Sequence, residues 1–159
     1  MIANRGAGRP AFFLALMLGI IWPAPAPART TTLDDSGSQA LGPSVKLRWK
    51  SPAPRFAADD QMVGTTAIRV RINVLPWLRH TGRIYLALPA QQPGPIGASW
   101  TTQGRLLAGQ VQSGNRALVY AGPITSPFME DVLTFQFNVA GSRVRGAFPV
   151  TYHFEMDEE

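Results

Sequence analysis

The feature that most constrains this chain is a two-residue alternation that recurs along it. In AIRVRINVLPWLRHTGRIYLAL, residues 67 to 88, Ile68, Val70, Ile72 and Val74 alternate with Arg69, Arg71 and Asn73. After Pro76 and Gly82 the pattern resumes, with Ile84, Leu86 and Leu88 alternating with Arg83, Tyr85 and Ala87. Successive side chains of a strand point to opposite faces, so this pattern describes strands buried on one side and wet on the other. Pro76 has no N–H to give a ladder and ends the first of them.

The same signal returns elsewhere. VKLRWK, residues 45 to 50, sets Val45, Leu47 and Trp49 against Lys46, Arg48 and Lys50, which predicts a strand with Trp49 in the core. Leu106–Gln112 and Ala117–Ala121 flank Ser113-Gly114-Asn115, a hairpin-type turn. Leu133, Phe135, Phe137 and Val139 form another alternating set, and Val150, Tyr152, Phe154 and Met156 the last. A shorter strand is expected near Trp100, after the breaker-rich loop PAQQPGPIG. Seven or eight short strands and no sustained helical period predict an all-β antiparallel β-sandwich. A small β-barrel is the alternative, because strand number and spacing do not separate the two.

The N-terminal residues bear on destination. Arg5 and Arg9 precede the apolar run AFFLALMLGIIW, and PAPAPA follows with small residues at Ala26 and Ala28. This is the pattern of a cleaved export signal over residues 1–28. The run is shorter than the roughly 20 residues that span a bilayer core. No transmembrane segment is expected after cleavage. Residues 29–44, RTTTLDDSGSQALGPS, lack periodicity and read as a flexible N-terminal arm. The sandwich domain is expected over 45–156, with 157–159 as an acidic tail end.

The chain has no cysteine, which closes both disulfides and a lipid-anchored cysteine terminus. The 131 residues after position 28 suffice for one domain with its own core. Net charge is +5 over the whole chain; without Arg5 and Arg9, 13 basic residues face 10 acidic ones, a net of +3. Between Asp60 and Glu130 there is no acid, whereas EMDEE closes the chain with four. That tail is expected to keep the C-terminus soluble; folding back onto the cationic stretch is the alternative.

GRIYLAL, WTTQGRLL, LVYAGP and VTYHF together resemble the immunoglobulin-like or fibronectin-III-like β-sandwich domains of exported bacterial proteins. The likeness is one of architecture and covers roughly residues 45–156. The Cys–Trp–Cys core of true immunoglobulin domains is absent, because there is no cysteine. The resemblance implies a spacer, a carbohydrate-binding module or an adhesive subunit.

Candidate contact residues follow from the alternation. Arg69 and Arg71 share a strand face about 7 Å apart. If the next strand pairs alongside, Arg83 and Tyr85 join them. Guanidinium groups bind carboxylate, phosphate or sulfate through two parallel hydrogen bonds. An anionic glycan or an envelope protein is therefore the expected partner, and export argues against nucleic acid. The bland alternative is the solvated face of a sheet. Trp77 and Trp100, near strand ends, complete the candidate ligand-binding set; rim packing competes with that role. His153 and Glu155 share a strand face, yet no metal-ligand spacing is present, so no metal and no cofactor are expected. No nucleophile motif or facing carboxylate pair marks a catalytic site. The expectation is a non-catalytic exported protein, periplasmic or at the cell surface, acting as a binding or scaffolding module of the cell envelope. The alternative is a strand-donating subunit of a fimbrial or other surface assembly, self-associating through residues 29–50. A small periplasmic enzyme is the third reading.

Overall fold

The computed structural model describes residues 29–42, 44–51, 60–90, 94–144 and 149–158. The expected export signal lies outside them. Ten strands run through the described residues: β1 (Thr30–Thr32), β2 (Gln39–Ala40), β3 (Arg48–Trp49), β4 (Gln61–Asn73), β5 (Thr81–Leu88), β6 (Ile96–Thr102), β7 (Gly109–Gln112), β8 (Asn115–Pro123), β9 (Phe128–Ala140) and β10 (His153–Glu158). They form two antiparallel sheets, which do not close into a barrel. One has four strands in the order β1-β10-β5-β8. The other has six, in the order β2-β4-β9-β6-β7, with β3 also paired to β4. The expected all-β sandwich is thus the observed fold.

The long ribbon of β4 and β9 is the spine, paired from Gln61↔Ala140 to Asn73↔Phe128. Its inward residues are those the alternation marks. Val70, Ile72 and Leu133 have no measurable exposure, and neither do Ile84, Leu86, Phe154 and Met156 on the opposing sheet. Each such side chain removed from water contributes roughly 1.5–3 kcal/mol. With no disulfide, this packing between the sheets is the main source of stability.

Three expectations fail in instructive ways. Residues 29–42 are not a loose arm: Thr30–Thr32 pairs with Asp157–Glu155, Gln39–Ala40 pairs with Arg69–Ile68, and Leu33 is buried. These strands are too short for a period to appear in the sequence. The acidic tail is not a solvated end: β10 lies between β1 and β5, so its backbone is laddered on both sides. Ser113-Gly114 does not close a hairpin within one sheet. It carries the chain from β7 in one sheet to β8 in the other, with Ser113 N–H donating to Ile96 O (2.8 Å) and Gly114 N–H to Leu88 O (2.6 Å). Gly114 has φ +86°, a left-handed conformation that costs glycine little.

A second crossing joins β4 to β5. The chain turns through a short 3-10 segment, Leu75–Trp77, which contains Pro76, and changes sheets. Arg79, at φ 70°, takes the left-handed backbone of this crossing. Between β6 and β7 the chain is held by the buried carboxylate of Asp131. It accepts N–H groups from Gln103 (3.1 Å), Leu106 (2.9 Å) and Val132 (2.7 Å).

Candidate functional site

The crossing after β4 decides the fate of the arginines. Arg69 and Arg71 stand on the outer face of the six-stranded sheet, while Arg83 and Tyr85 stand on the outer face of the four-stranded sheet. The condition for their convergence, that β5 pairs with β4, is not met: β5 pairs with β10 and β8. The two halves of the candidate set are on opposite sides of the sandwich.

On the four-stranded sheet the positive charge meets the acidic tail. Register sets Tyr85 beside Glu155 and Arg83 beside Asp157. From β8, the Arg116 guanidinium donates to both Asp157 oxygens (2.8 and 2.9 Å) and to Glu155 Oε2 (3.2 Å). It also lies 4.2 Å over the Tyr85 ring. Thr30 Oγ1 donates to Asp157 Oδ1 (2.7 Å), which ties the edge strand into the same group. The Arg116 hydrogen bond holds the Asp157 carboxyl below its ordinary range, and Asp157 in turn raises Arg116. His153 Nε2 is 3.0 Å from Glu155 Oε1. This face therefore cross-ties β1, β10, β5 and β8 by charge.

The six-stranded sheet presents a smaller grouping. Arg71 Nε is 3.3 Å from Glu130 Oε1, and its guanidinium lies 4.2 Å from the centroid of the Phe128 ring. Arg69 is exposed beside it. The two tryptophans of the candidate set also separate. Trp100 is in the core, 3% exposed, with its Nε1 donating to Leu107 O at 2.9 Å. Trp77 is half-buried and donates Nε1–H to Glu158 Oε1 at 2.8 Å. Trp49, expected in the core, is 46% exposed: it pairs with Met62 at the far end of the ribbon, where its ring edge lies against Gly141.

The one concave apolar surface of note among the described residues lies elsewhere. Strands β2 and β3 are two pieces of one edge strand along β4. Between them, seven residues, 41–47, cross the space that four residues of β4, 64–67, occupy. The described residues of this excess, 41–42 and 44–47, form a strap attached by Leu41 N–H to Ala67 O (2.8 Å). Bulges of this kind end a ladder and re-aim side chains. Here they turn Val45 and Leu47 inward over Gly64, where a Cβ would stand 2.5 Å from Val45 Cγ1 and 2.9 Å from Leu47 Cδ2. Glycine at 64 is what lets the strap come so close.

Behind the strap is a crevice of about 570 Å³. The six-stranded sheet contributes Ile68, Ile96, Phe137 and Val139 to its lining; Val144 and Val150 face them from the segment before β10. The Ser44 and Thr66 residues and the Tyr152 ring bring the polar atoms. Burial raises the Tyr152 hydroxyl pKa, and the Asp35 charge raises it further, so the phenol stays protonated at neutral pH. Asp35 is itself raised, first by burial. A cavity of this size with apolar walls and few polar groups is the usual form of a small-ligand site. Reading the sequence missed it, although Val45, Leu47 and Val150 were marked as inward-facing. Its signal, the mismatch of seven residues against four, exists only once register is known.

No family model, no curated protein and no solved structure matches the chain.

Proposed function

We propose that this chain is a non-catalytic binding or scaffolding β-sandwich of the cell envelope that holds an apolar group of its partner in the strap crevice. The observation that carries the reading is the 570 Å³ apolar space behind residues 41–47. Proteins seldom leave such a space unfilled in a packed interior. Export, to the periplasm or the cell surface, rests on the charged, apolar and small-residue pattern of residues 1–28. Kinship with immunoglobulin-like or fibronectin-III-like domains of exported proteins belongs to the same proposal, supported by the two-sheet antiparallel architecture. The arginines move from ligand site to sheet surface in this reading, since those on the four-stranded sheet face the acids of β10.

The test is an uncharged fluorophore, N-phenyl-1-naphthylamine, added to the protein as the cell makes it. Its emission should rise on binding and fall back in a Val144→Trp variant whose melting temperature is unchanged. No rise with the unsubstituted protein sinks the proposal.

A second reading has its own observation. Among the described residues of 29–50 there are three strands, of 3, 2 and 2 residues, at the margins of the two sheets, and one isolated bridge, Asp34↔Asn73. A segment held by so few ladder bonds is suited to exchange with another copy, as a strand-donating assembly subunit requires. Light scattering behind a sizing column separates the readings. A ladder of species that collapses to a folded monomer on deleting residues 29–50 supports assembly. A single monomeric species supports the binding module.

A further inference from the structure

The geometry points to a single-chain anionic amphiphile, a long-chain carboxylate, as the ligand of the strap crevice, with its tail inside and its headgroup at Arg143. This rests on the binding reading above and names its ligand class. The walls are mainly aliphatic: Val45, Leu47, Ile68, Ile96, Val139 and Val144. The two aromatic lining residues, Phe137 and Tyr152, each pack on Phe135, with ring centroids 5.7 and 6.0 Å away, and the branched aliphatic majority suits a flexible hydrocarbon. The volume is that of one small ligand.

The headgroup argument rests on charge at the rim. Arg143 closes the short 3-10 turn Gly141–Arg143 and is followed by Val144, a wall residue. Its side chain lies against Gly94, where a Cβ would be 3.0 Å from both Cδ and Nη1. Gly94 stands two positions before Ile96, another wall residue. Arg143 is exposed and has no ion pair among the described residues. The carboxylate next to it, Asp60, is already engaged, accepting Ser142 N–H at 3.0 and 3.1 Å. Asp35 is the countercharge, sensed by Tyr152 on the wall that leads into β10. A cation next to the wall residue Val144 and a mainly aliphatic interior match an amphiphile with a negative head.

The experiment is displacement of bound N-phenyl-1-naphthylamine by laurate and, separately, by dodecyltrimethylammonium, both below their micellar concentrations. The tails have equal length and the heads opposite charge. Laurate should displace the dye at about five-fold lower concentration, the ratio one exposed ion pair supplies. Arg143→Glu, a surface change, should abolish or invert that preference and leave dye binding intact. Across octanoate, decanoate and laurate, affinity should rise about four-fold per added methylene until the crevice is full. Equal displacement by both heads, or a preference that survives Arg143→Glu, overturns the amphiphile and leaves the crevice reading standing. Failure of the dye itself to bind overturns both.

Discussion

The β4–β9 ribbon has one inner face with two kinds of cover. Over Val70, Ile72 and Leu133 lies the four-stranded sheet, and these residues have no exposure at all. Over Ile68, Phe137 and Val139 lie Val45 and Leu47 of the strap with Val144, Val150 and Tyr152, and about 570 Å³ stays open. The apolar residues are of the same kinds at both ends. What differs is the regularity of the cover. A laddered sheet offers side chains at fixed intervals, and they interdigitate with those opposite. A strap three residues too long for its gap offers only Val45 and Leu47, held by the close approach at Gly64. A void in this fold is therefore a consequence of register, not of composition.

The comparison breaks most readily on two isoleucines. Ile72 lies in the closed end and Ile96 lines the crevice, and both are essentially unexposed. Ile72→Ala should cost about 4 kcal/mol in urea unfolding, and Ile96→Ala nearer to 2 kcal/mol, because part of its surroundings is already empty. Equal losses would mean that the crevice is filled in solution. Next in size is Asp131→Ala in the closed end. It strips three backbone N–H groups of their acceptor, at an expected cost of about 3 kcal/mol, and should free the β6–β7 loop to hydrogen exchange. Gly64→Ala sharpens the comparison from the open end. The added methyl meets Val45 and Leu47, so about 1–2 kcal/mol should be lost. Amide protection should fall across residues 41–47 and stay unchanged in the four-stranded sheet.

The smallest effect is electrostatic. Asp157 is held below its ordinary value of 3.8 by Arg116. A carboxyl lowered by folding stabilises the protein above its unfolded value and loses that contribution as pH falls through its folded value. Arg116→Ala should therefore cost at most about 1 kcal/mol at neutral pH, since the guanidinium is largely in water. The gap from the unsubstituted protein should close on acidification and narrow in salt. An NMR titration should show the Asp157 carboxyl moving up toward 3.8 in the variant.

Much of the fold was legible in the alternation. The second half of β4, and β5, β9 and β10 were set by residues such as Ile72, Leu86, Phe135 and Phe154, each buried as its phase requires. The first half of β4 was not, because Gly64, Thr65 and Thr66 carry no hydrophobic period. The candidate site was legible only as a list of exposed side chains. Placing Arg71 and Arg83 on one face assumed that neighbours in sequence are neighbours in a sheet. The turn through Pro76 crosses between layers instead, and local pattern carries no information about that. The partner of the cationic face was visible as EMDEE, but its position between β1 and β5 is a long-range fact.

That position also sets the order in which the molecule can form. The last of the described strands, β10, sits in the middle of its sheet, with Thr30 bonded to Asp157 across 127 positions. Until residue 158 has left the ribosome, β1 has no partner and β5 lacks one of its two. Such late, distant pairing makes folding slow relative to synthesis. The delay has a physical cost: the β5 edge that β10 will cover stays open to other chains until residues 153–158 arrive.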